Sequence, residues 1–219
     1  MMTDSYRHKG LRKKLVERLQ AGHPVRFEER ILEAIGKIPR HLFLDSSFVE
    51  YAYEDKAFPI GYGQTISQPS TVAFQTQLLQ VNKGDKVLEV GTGSGYQACV
   101  LLELEAKVFS IERQKNLYLR TKDLLPKLNY HPKLFFGDGY LGLPAFAPFD
   151  RILVTAAAPS IPGALIEQLK PGGRLVIPAG KPGAQVMTLV TKPENGPVEM
   201  KEYGEFRFVP MLQKKEHHT

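Results

Sequence analysis

Residues 87 to 95 read Val-Leu-Glu-Val-Gly-Thr-Gly-Ser-Gly, a short apolar run ending at Glu89-Val90 that breaks into the alternating glycines Gly91, Gly93 and Gly95. Such a segment reads as a buried strand delivering a tight turn, whose bare backbone lets a nucleotide-bearing ligand approach because glycine has no Cβ to obstruct it. It predicts the opening unit of an α/β fold that binds an adenosine cofactor. Spacing bears on which cofactor. A dinucleotide site uses G-x-G-x-x-G, so that the third glycine packs a helix on the strand and the pyrophosphate sits at that helix's N-terminus. In this chain the third glycine comes one residue early and Tyr96 takes the reserved place. G-x-G-x-G behind an acidic residue suits S-adenosylmethionine, which carries a sulfonium and an amino-acid end but no phosphate, so that Glu89 can meet its amine. On the glycines alone, methyltransferase and dehydrogenase both stay open.

The rest of the chain supplies the frame. Leu11, Leu15, Val16 and Leu19 repeat at helical spacing within residues 5 to 20, and Ile31, Leu32, Ile35 and Ile38 do so within 27 to 38. These predict two helices that cover one edge or face of the core. Residues 51 to 65 are rich in Tyr, Gly and Pro without a sustained period and read as a structured loop. Pro69 fits a first helical position, so a helix is expected to begin just after Ser67 and Gln68. From Gly84 the pattern alternates as in a parallel sheet. Strands are expected at 86–90, 107–111, 133–136 and 149–155, with helices near 94–104 and 114–128. A helix at 161–169 is expected to stop at Lys170-Pro171-Gly172-Gly173, with strands at 174–177, 186–191 and 205–209 after it. The fold class is α/β, a single doubly wound Rossmann-like domain over residues 1–219 with an N-terminal helical elaboration. Within it, residues 1–80 form helices and a substrate-side loop, 81–180 the cofactor-binding core, and 181–219 the C-terminal strands.

In an open parallel sheet the ligand lies across the carboxyl ends of the strands. After the first such strand comes the glycine loop with Thr92 and Ser94. After the second comes Glu112, placed to accept from both ribose hydroxyls, and after the third Gly137-Asp138-Gly139, whose carboxylate can reach an adenine amino group. After the fourth come Thr155, Ala156, Ala157 and Ala158, small residues that leave room for a methyl group and a substrate. Each has a plainer reading: Glu112 as a first-turn carboxylate facing a helix dipole, Asp138 as a turn residue, Glu89 as a brace for the loop. Their joint placement at successive strand ends favours one pocket.

Composition narrows the class. No apolar stretch approaches the roughly 20 residues that span a bilayer, and the basic N-terminus lacks a secretory core, so a cytoplasmic address without a membrane partner is expected. Cys99 is the single cysteine, which rules out an intramolecular disulfide. The histidines, His8, His23, His41, His131, His217 and His218, lack metal-ligand spacing, so no metal is expected. The net charge of +6 resides mainly in Arg7 to Lys14 and Lys214-Lys215, not among aromatics, and reads as a solvated basic surface. Nucleic-acid methylation is the rival enzyme reading. It is disfavoured because Thr155-Ala156-Ala157-Ala158 replaces the Asn/Asp-Pro-Pro-aromatic tetrapeptide of amino-group methylators, and because Cys99 sits inside a helix. A non-catalytic cofactor-binding module is the other alternative.

Several segments together resemble the protein-L-isoaspartate O-methyltransferase family in order and spacing: Gly-Tyr-Gly-Gln-Thr-Ile-Ser-Gln-Pro at 61–69, the glycine loop at 87–96, Gly-Asp-Gly at 137–139, Asp-Arg-Ile-Leu-Val-Thr-Ala-Ala-Ala at 150–158 and Leu-Lys-Pro-Gly-Gly-Arg-Leu-Val-Ile-Pro at 169–178. Ile38 to Phe43 and Arg207 to Pro210 extend the likeness over about 35 to 212. The glycine and Pro-Gly-Gly motifs occur in many methyltransferases, and Thr65-Ile66-Ser67-Gln68-Pro69 is far more specific. Departures lie at Gly22 to Phe27 and at Gln213 to Thr219. The resemblance implies a class I S-adenosylmethionine-dependent enzyme that methylates the free α-carboxylate of L-isoaspartyl residues in damaged proteins and peptides; a monomer that does not act on nucleic acid is expected, though nothing in the sequence decides whether the chain dimerises. It implies Ser67 as the active-site serine, and Glu89, Gly91, Gly93, Glu112, Asp138 and Gly139 at the cofactor; Thr92, Ser94, Gly95 and Thr155 are expected beside them from their places in the loop and at the strand end. Thr65, Ile66, Ser67, Gln68, Val209 and Pro210 are expected to flank the substrate. That α-carboxylate, with a pKa of roughly 3.5, is already an anion at pH 7, so no strong base is needed. The Ser67 hydroxyl and free N–H groups of the helix beginning near Pro69 are expected to hold one of its oxygens. As a plain alternative, Ser67 is a helix cap.

Overall fold

The computed structural model describes residues 4–216 except 182, so His217 and His218 of the metal expectation lie outside the described residues. The chain runs through α1 (Tyr6–Gly22) and α2 (Glu29–Lys37), two 3-10 turns at Arg40–Phe43 and Ser46–Tyr51, the hairpin β1 (Phe58–Gly61) and β2 (Gln64–Ile66), and α3 (Pro69–Leu79). There follow β3 (Lys86–Val90), α4 (Tyr96–Glu103), β4 (Lys107–Glu112), α5 (Lys115–Lys127), β5 (Lys133–Phe136), β6 (Phe149–Val154), α6 (Gly163–Glu167), β7 (Leu169–Lys181), β8 (Ala184–Thr191) and β9 (Glu199–Phe206).

One seven-stranded sheet carries the fold, in the order β5-β4-β3-β6-β7-β8-β9. Pairings from β5 to β7 are parallel, and those of β7 with β8 and β8 with β9 antiparallel. The doubly wound expectation thus holds for five strands, and an antiparallel extension completes the sheet. The chain leaves β3 toward β4 and β5, then returns to place β6 on the other side of β3. That reversal makes the end of β3 the topological switch point, where such sheets bind ligands.

Strand alternation assigns each residue to a face. Val87, Val108, Leu153, Val176 and Leu189 pack beneath a layer that includes Leu15, Ile31, Ile35, Val72, Cys99 and Leu117, drawn from α1 to α5. Leu88, Val90, Phe109, Ile111, Ile152 and Val154 face the other way, against Leu165 of α6, Phe146 and Met211. The N-terminal helices therefore cover a face of the core.

Three expectations change. The loop at 51–65 contains a hairpin, with Phe58 opposite Ile66 and Pro59 opposite Thr65. The helix at 161–169 shrinks to Gly163–Glu167, and Lys170–Gly173 does not end it. Phe149 pairs with Leu169 and Arg151 with Arg174, so those four residues bulge within β7, pinned by Lys170 Nζ donating to Asp150 Oδ1 at 2.6 Å. The final strand runs over Glu199–Phe206, upstream of the expected 205–209.

Candidate active site

Gly91, the first residue beyond β3, has φ +98°, and a Cβ on it would lie 2.5 Å from Thr155 Oγ1. Only glycine lets the two strand ends approach this closely. The Thr155 hydroxyl closes the junction by donating to the Gly91 carbonyl at 2.6 Å. Gly93, at φ +52°, donates its N–H to Glu112 Oε2 at 2.8 Å, while Glu112 Oε1 accepts from Gln114 N–H at 2.8 Å. Burial raises the Glu112 carboxyl, and the N–H groups of Gln114 and Gly93 counter that shift.

Two cavities meet at Gly91. The larger, about 410 Å³, is lined by Gly91, Ile111, Glu112, Gly139, Ala156 and Met211 among others, and so collects the ends of four parallel strands. The smaller, about 330 Å³, is bounded by Thr65, Ile66 and Ser67 on one side and by Gly91 to Ser94 with Thr155 on the other. Sequence reasoning missed Gln64, Arg113, Tyr96 and Gln97, which also line them. It missed Met211 and Leu212 as well, because the tail beyond Pro210 carries no periodic signal.

Three expected cofactor residues line neither cavity, and a fourth, Thr92, does so with its hydroxyl turned away. Glu89 is fully buried and lines neither cavity. Alternation along β3 turns it toward the helix-covered face, away from Leu88 and Val90, where it accepts from the Ser110 hydroxyl. Ser110 is in turn 2.6 Å from Thr92 Oγ1. Glu89 therefore braces the glycine loop from behind, and burial pushes its carboxyl up to about 8. Asp138 is a turn residue: its oxygens accept from Tyr140 N–H at 2.9 Å and from Lys214 N–H at 2.7 Å. Gly95 lies against α5, where a Cβ would come 2.7 Å from Thr121 Cγ2, so it lets α4 start close to its neighbour. Thr92 reaches the cavity wall but points its hydroxyl to Ser110.

On the substrate side, Ser67 stands in the smaller cavity and its hydroxyl makes no hydrogen bond to a described residue. It is not a helix cap. The cap position of α3 falls on Gln68, and Pro69 occupies the first turn as expected. The helix N–H groups are less available than anticipated: Pro69 has none, Ser70 N–H is taken by Asp55 Oδ1 at 2.8 Å, and Val72 N–H bonds Gln68 O. Gln68 faces a neighbouring groove with Thr71 and Phe206. Val209 and Pro210 lie beyond β9, where the Val209 carbonyl accepts from Ala157 N–H at 2.9 Å, and Pro210 lines the larger cavity. The backbone of this segment is thus partly committed to the end of β6.

The tail then crosses the strand ends. Tyr140 Oη donates to Met211 O at 3.1 Å, Arg113 Nε to Lys214 O at 3.0 Å, and Arg113 pairs with Glu216 at 2.6 Å. Among the described residues, Asp4, His8 and His41 are the one group that brings metal-ligating atoms within 4.8 Å of one another. Arg12 holds both Asp4 oxygens, at 3.1 and 3.0 Å, so that carboxylate is already paired with a cation.

The glycine cradle and the buried Glu112 carboxylate fit an adenosine cofactor without phosphates, since neither cavity offers a cluster of cations. Residues 10–216 match the protein-L-isoaspartate(D-aspartate) O-methyltransferase family. A protein-L-isoaspartate O-methyltransferase of Flavobacterium psychrophilum is 59% identical over 215 residues, covering 98% of this chain and 100% of the relative. That of Christiangramia forsetii is 57% identical with the same coverage. A solved protein-L-isoaspartate O-methyltransferase superposes with a TM-score of 0.81 at 30% identity over 91% of this chain, which spans 65% of the solved one. A Plasmodium falciparum protein crystallised with S-adenosyl-L-homocysteine shares the fold, with a TM-score of 0.77 at 23% identity over 94% of this chain and 98% of its own. The family match spans nearly the whole sequence and these relatives are more than half identical over 98% of it, so the chain belongs to the protein-L-isoaspartate(D-aspartate) O-methyltransferase family.

Proposed function

We propose that the two cavities form one reaction chamber, the larger holding S-adenosylmethionine across the strand ends and the smaller holding an isoaspartyl α-carboxylate against Ser67. The chain transfers a methyl group from S-adenosylmethionine to the free α-carboxylate of L-isoaspartyl residues in damaged proteins and peptides. The ester then closes to a succinimide, which begins repair. Gly91, Gly93, Ser94 and Thr155 would hold the amino-acid end of the cofactor, and Glu112 and Gly139 the ribose and adenine end. Glu89, Gly95 and Asp138 would act on this site indirectly, through the loop, α4 and the tail.

When bound, S-adenosylmethionine supplies a methyl group on a sulfonium, and transfer to a carboxylate cancels a charge on each partner. The smaller cavity suits that change. Its walls, Thr65, Ile66, Ser67, Val72, Gly91 to Ser94, Tyr96, Gln97 and Thr155, include no ionised side chain at neutral pH. A lysine or arginine would stabilise the free anion more than the transition state, in which its charge is leaving, and would slow transfer. A neutral hydroxyl donor from Ser67 fixes one oxygen without that penalty and leaves the other to react. Ile66 and Val72 strip water from the anion, and Thr65, Gln68, Val209 and Pro210 flank the polypeptide on either side.

The observation that carries this reading is the Ser67 hydroxyl, bonded to no described residue and placed in a cavity that shares Gly91 with the strand ends. The chamber also supports one working domain over residues 1–219, since a single apolar cluster runs from Leu15 of α1 to Leu189 of β8. The reading extends to a monomeric, cytoplasmic enzyme that leaves nucleic acid unmodified. Cys99, the one thiol, is buried in α4 and its pKa is pushed up by that burial, which fits a packing role and not a nucleophile. No helix of the described residues is long and apolar enough to cross a membrane. The test is incubation with labelled S-adenosylmethionine and two peptides that differ only in Asp versus isoAsp. Label on the isoAsp peptide alone is expected; label on nucleic acid, or on neither peptide, overturns the reading.

A further inference from the structure

The helix behind Ser67 opens without a cap of its own. Gln68 at the cap position makes no side-chain bond to the backbone; its amide donates sideways to Ser70 Oγ at 2.8 Å. Pro69 has no N–H to be capped. The next donor, Ser70 N–H, is satisfied from outside the helix by Asp55 Oδ1 at 2.8 Å, a residue 15 positions back, on the far side of the β1-β2 hairpin. A carboxylate is a good partner for a first-turn N–H on both hydrogen-bonding and dipole grounds.

The loop that delivers Asp55 is held by a buried cation. Arg40 is 0% exposed and donates Nε to Ala52 O at 3.0 Å and Nη2 to Lys56 O at 3.1 Å, gripping the chain on either side of Asp55. Burial lowers the Arg40 pKa to about 10, with Tyr96 and Asp55 opposing the fall, so the guanidinium stays charged at neutral pH. It also lies 5.0 Å from the centroid of the Tyr96 ring. Tyr96 opens α4 directly after the glycine loop and lines the same cavity as Ser67. One buried residue therefore ties the cofactor loop to the loop that fixes the serine turn, and neither Arg40 nor Asp55 lines either cavity.

Serine is itself a favoured cap residue, so a chain needing only a stable helix could have used Ser67 for that task. The geometry points to Asp55 as a positioning residue for Ser67: it carries the α3 cap in the serine's stead, leaves the Ser67 hydroxyl free for the isoaspartyl carboxylate, and fixes the 67–69 turn relative to Tyr96 and the glycine loop. Arg40 offsets the Asp55 charge, so that a second carboxylate can settle in the adjoining cavity. This inference rests on the reading of Ser67 given above.

The experiment measures methyl transfer to an isoaspartyl peptide, S-adenosylhomocysteine affinity and thermal melting for D55A, D55N, D55S, S67A and the double variant D55A/S67A. D55A is expected to lose roughly 10- to 100-fold in kcat, the scale of a misplaced reacting group, with the Kd for S-adenosylhomocysteine unchanged. D55N keeps an acceptor oxygen at the same reach and should stay within about threefold of the parent, with D55S between them. Because Asp55 acts through Ser67, the double variant should be no slower than S67A. A folded D55A within threefold of the parent, D55N as slow as D55A, or losses that multiply in the double variant each overturn the inference. So does a decline across the series that tracks melting temperature and cofactor affinity together, which marks a structural cap only. S67A at full rate removes the Ser67 reading and this inference with it; an inactive S67A beside a fully active D55A removes the inference alone.

Discussion

The two cavities that meet at Gly91 are built by different means. The larger is a product of topology: β3, β4, β5 and β6 end side by side, and Gly91, Glu112, Gly139 and Ala156 arrive at one place because the strands are parallel. The smaller has no such scaffold on its substrate side. Ile66 ends a three-residue strand and Ser67 sits in a turn whose position depends on Asp55, on Arg40 and on the first turn of α3. A sheet therefore fixes the generic half of the reaction, and a short, locally braced segment fixes the specific half. Damage to the first should show in cofactor affinity, and damage to the second in turnover.

Ser67→Ala gives the sharpest version of that contrast. With its hydroxyl gone, kcat toward an isoaspartyl peptide should fall by about 100-fold, the usual cost of removing one donor to a reacting oxygen. The Kd for S-adenosylhomocysteine, measured by calorimetry, should not move. Gly91→Ala is the mirror experiment. A Cβ at φ +98° and 2.5 Å from Thr155 Oγ1 adds strain of about 1–3 kcal/mol and intrudes on both cavities, so S-adenosylhomocysteine binding should weaken more than tenfold and melting temperature should drop. A G91A enzyme with normal affinity and slow turnover would break the comparison.

Shortening the chain after Leu212 removes Lys214 N–H from Asp138 and Glu216 from Arg113 and Gln114. Loss of these bonds, each worth about 1 kcal/mol, should weaken S-adenosylhomocysteine by about three- to tenfold and leave kcat at saturating cofactor little changed. The smallest effect is a slope. Burial raises the Glu89 carboxyl from an ordinary 4.5 to about 8, against the Ser110 hydrogen bond. Between those values the folded protein holds a proton that the unfolded chain has released, so this group's contribution to stability falls as pH rises. Glu89→Gln should flatten that decline in the pH dependence of melting, most visibly between pH 5 and about 8. An unchanged slope would show that Glu89 is ionised behind the glycine loop.

The same contrast governs what could be read from the amino acids. The four strands that end at the larger cavity are legible to within a residue, because each is a short apolar run followed by Gly, Glu or Thr. Sequence gives no direction for a side chain in a strand buried on both faces. Glu89 precedes the glycines and looks like a ligand, yet its neighbours Leu88 and Val90 take the face that opens toward Met211 and leave it the other. The hairpin at 58–66 is invisible to periodicity because a single proline and two glycines interrupt it. β9 hides for a different reason: as an edge strand it is charged at half of its positions, with Tyr203 and Phe206 packing on Phe74. Pro171-Gly172-Gly173 reads as a stop because nothing local distinguishes a strand bulge from a helix end. Ser67 was legible through its motif alone, and its bracing by Asp55 through neither motif nor period, since that contact joins a loop to a helix across an intervening hairpin.

The central claim is that Gly91 and Ser67 bound one chamber, with the cofactor on one side and the reacting carboxylate on the other. A crystal structure of the protein with S-adenosylhomocysteine and an isoaspartyl peptide tests it most directly. The account predicts the cofactor's amino-acid end over Gly91 and Gly93, Glu112 at the ribose, and one oxygen of the peptide's α-carboxylate within hydrogen-bond reach of Ser67 Oγ. A carboxylate held elsewhere, with Ser67 turned from it or walled off from the cofactor, would contradict the account.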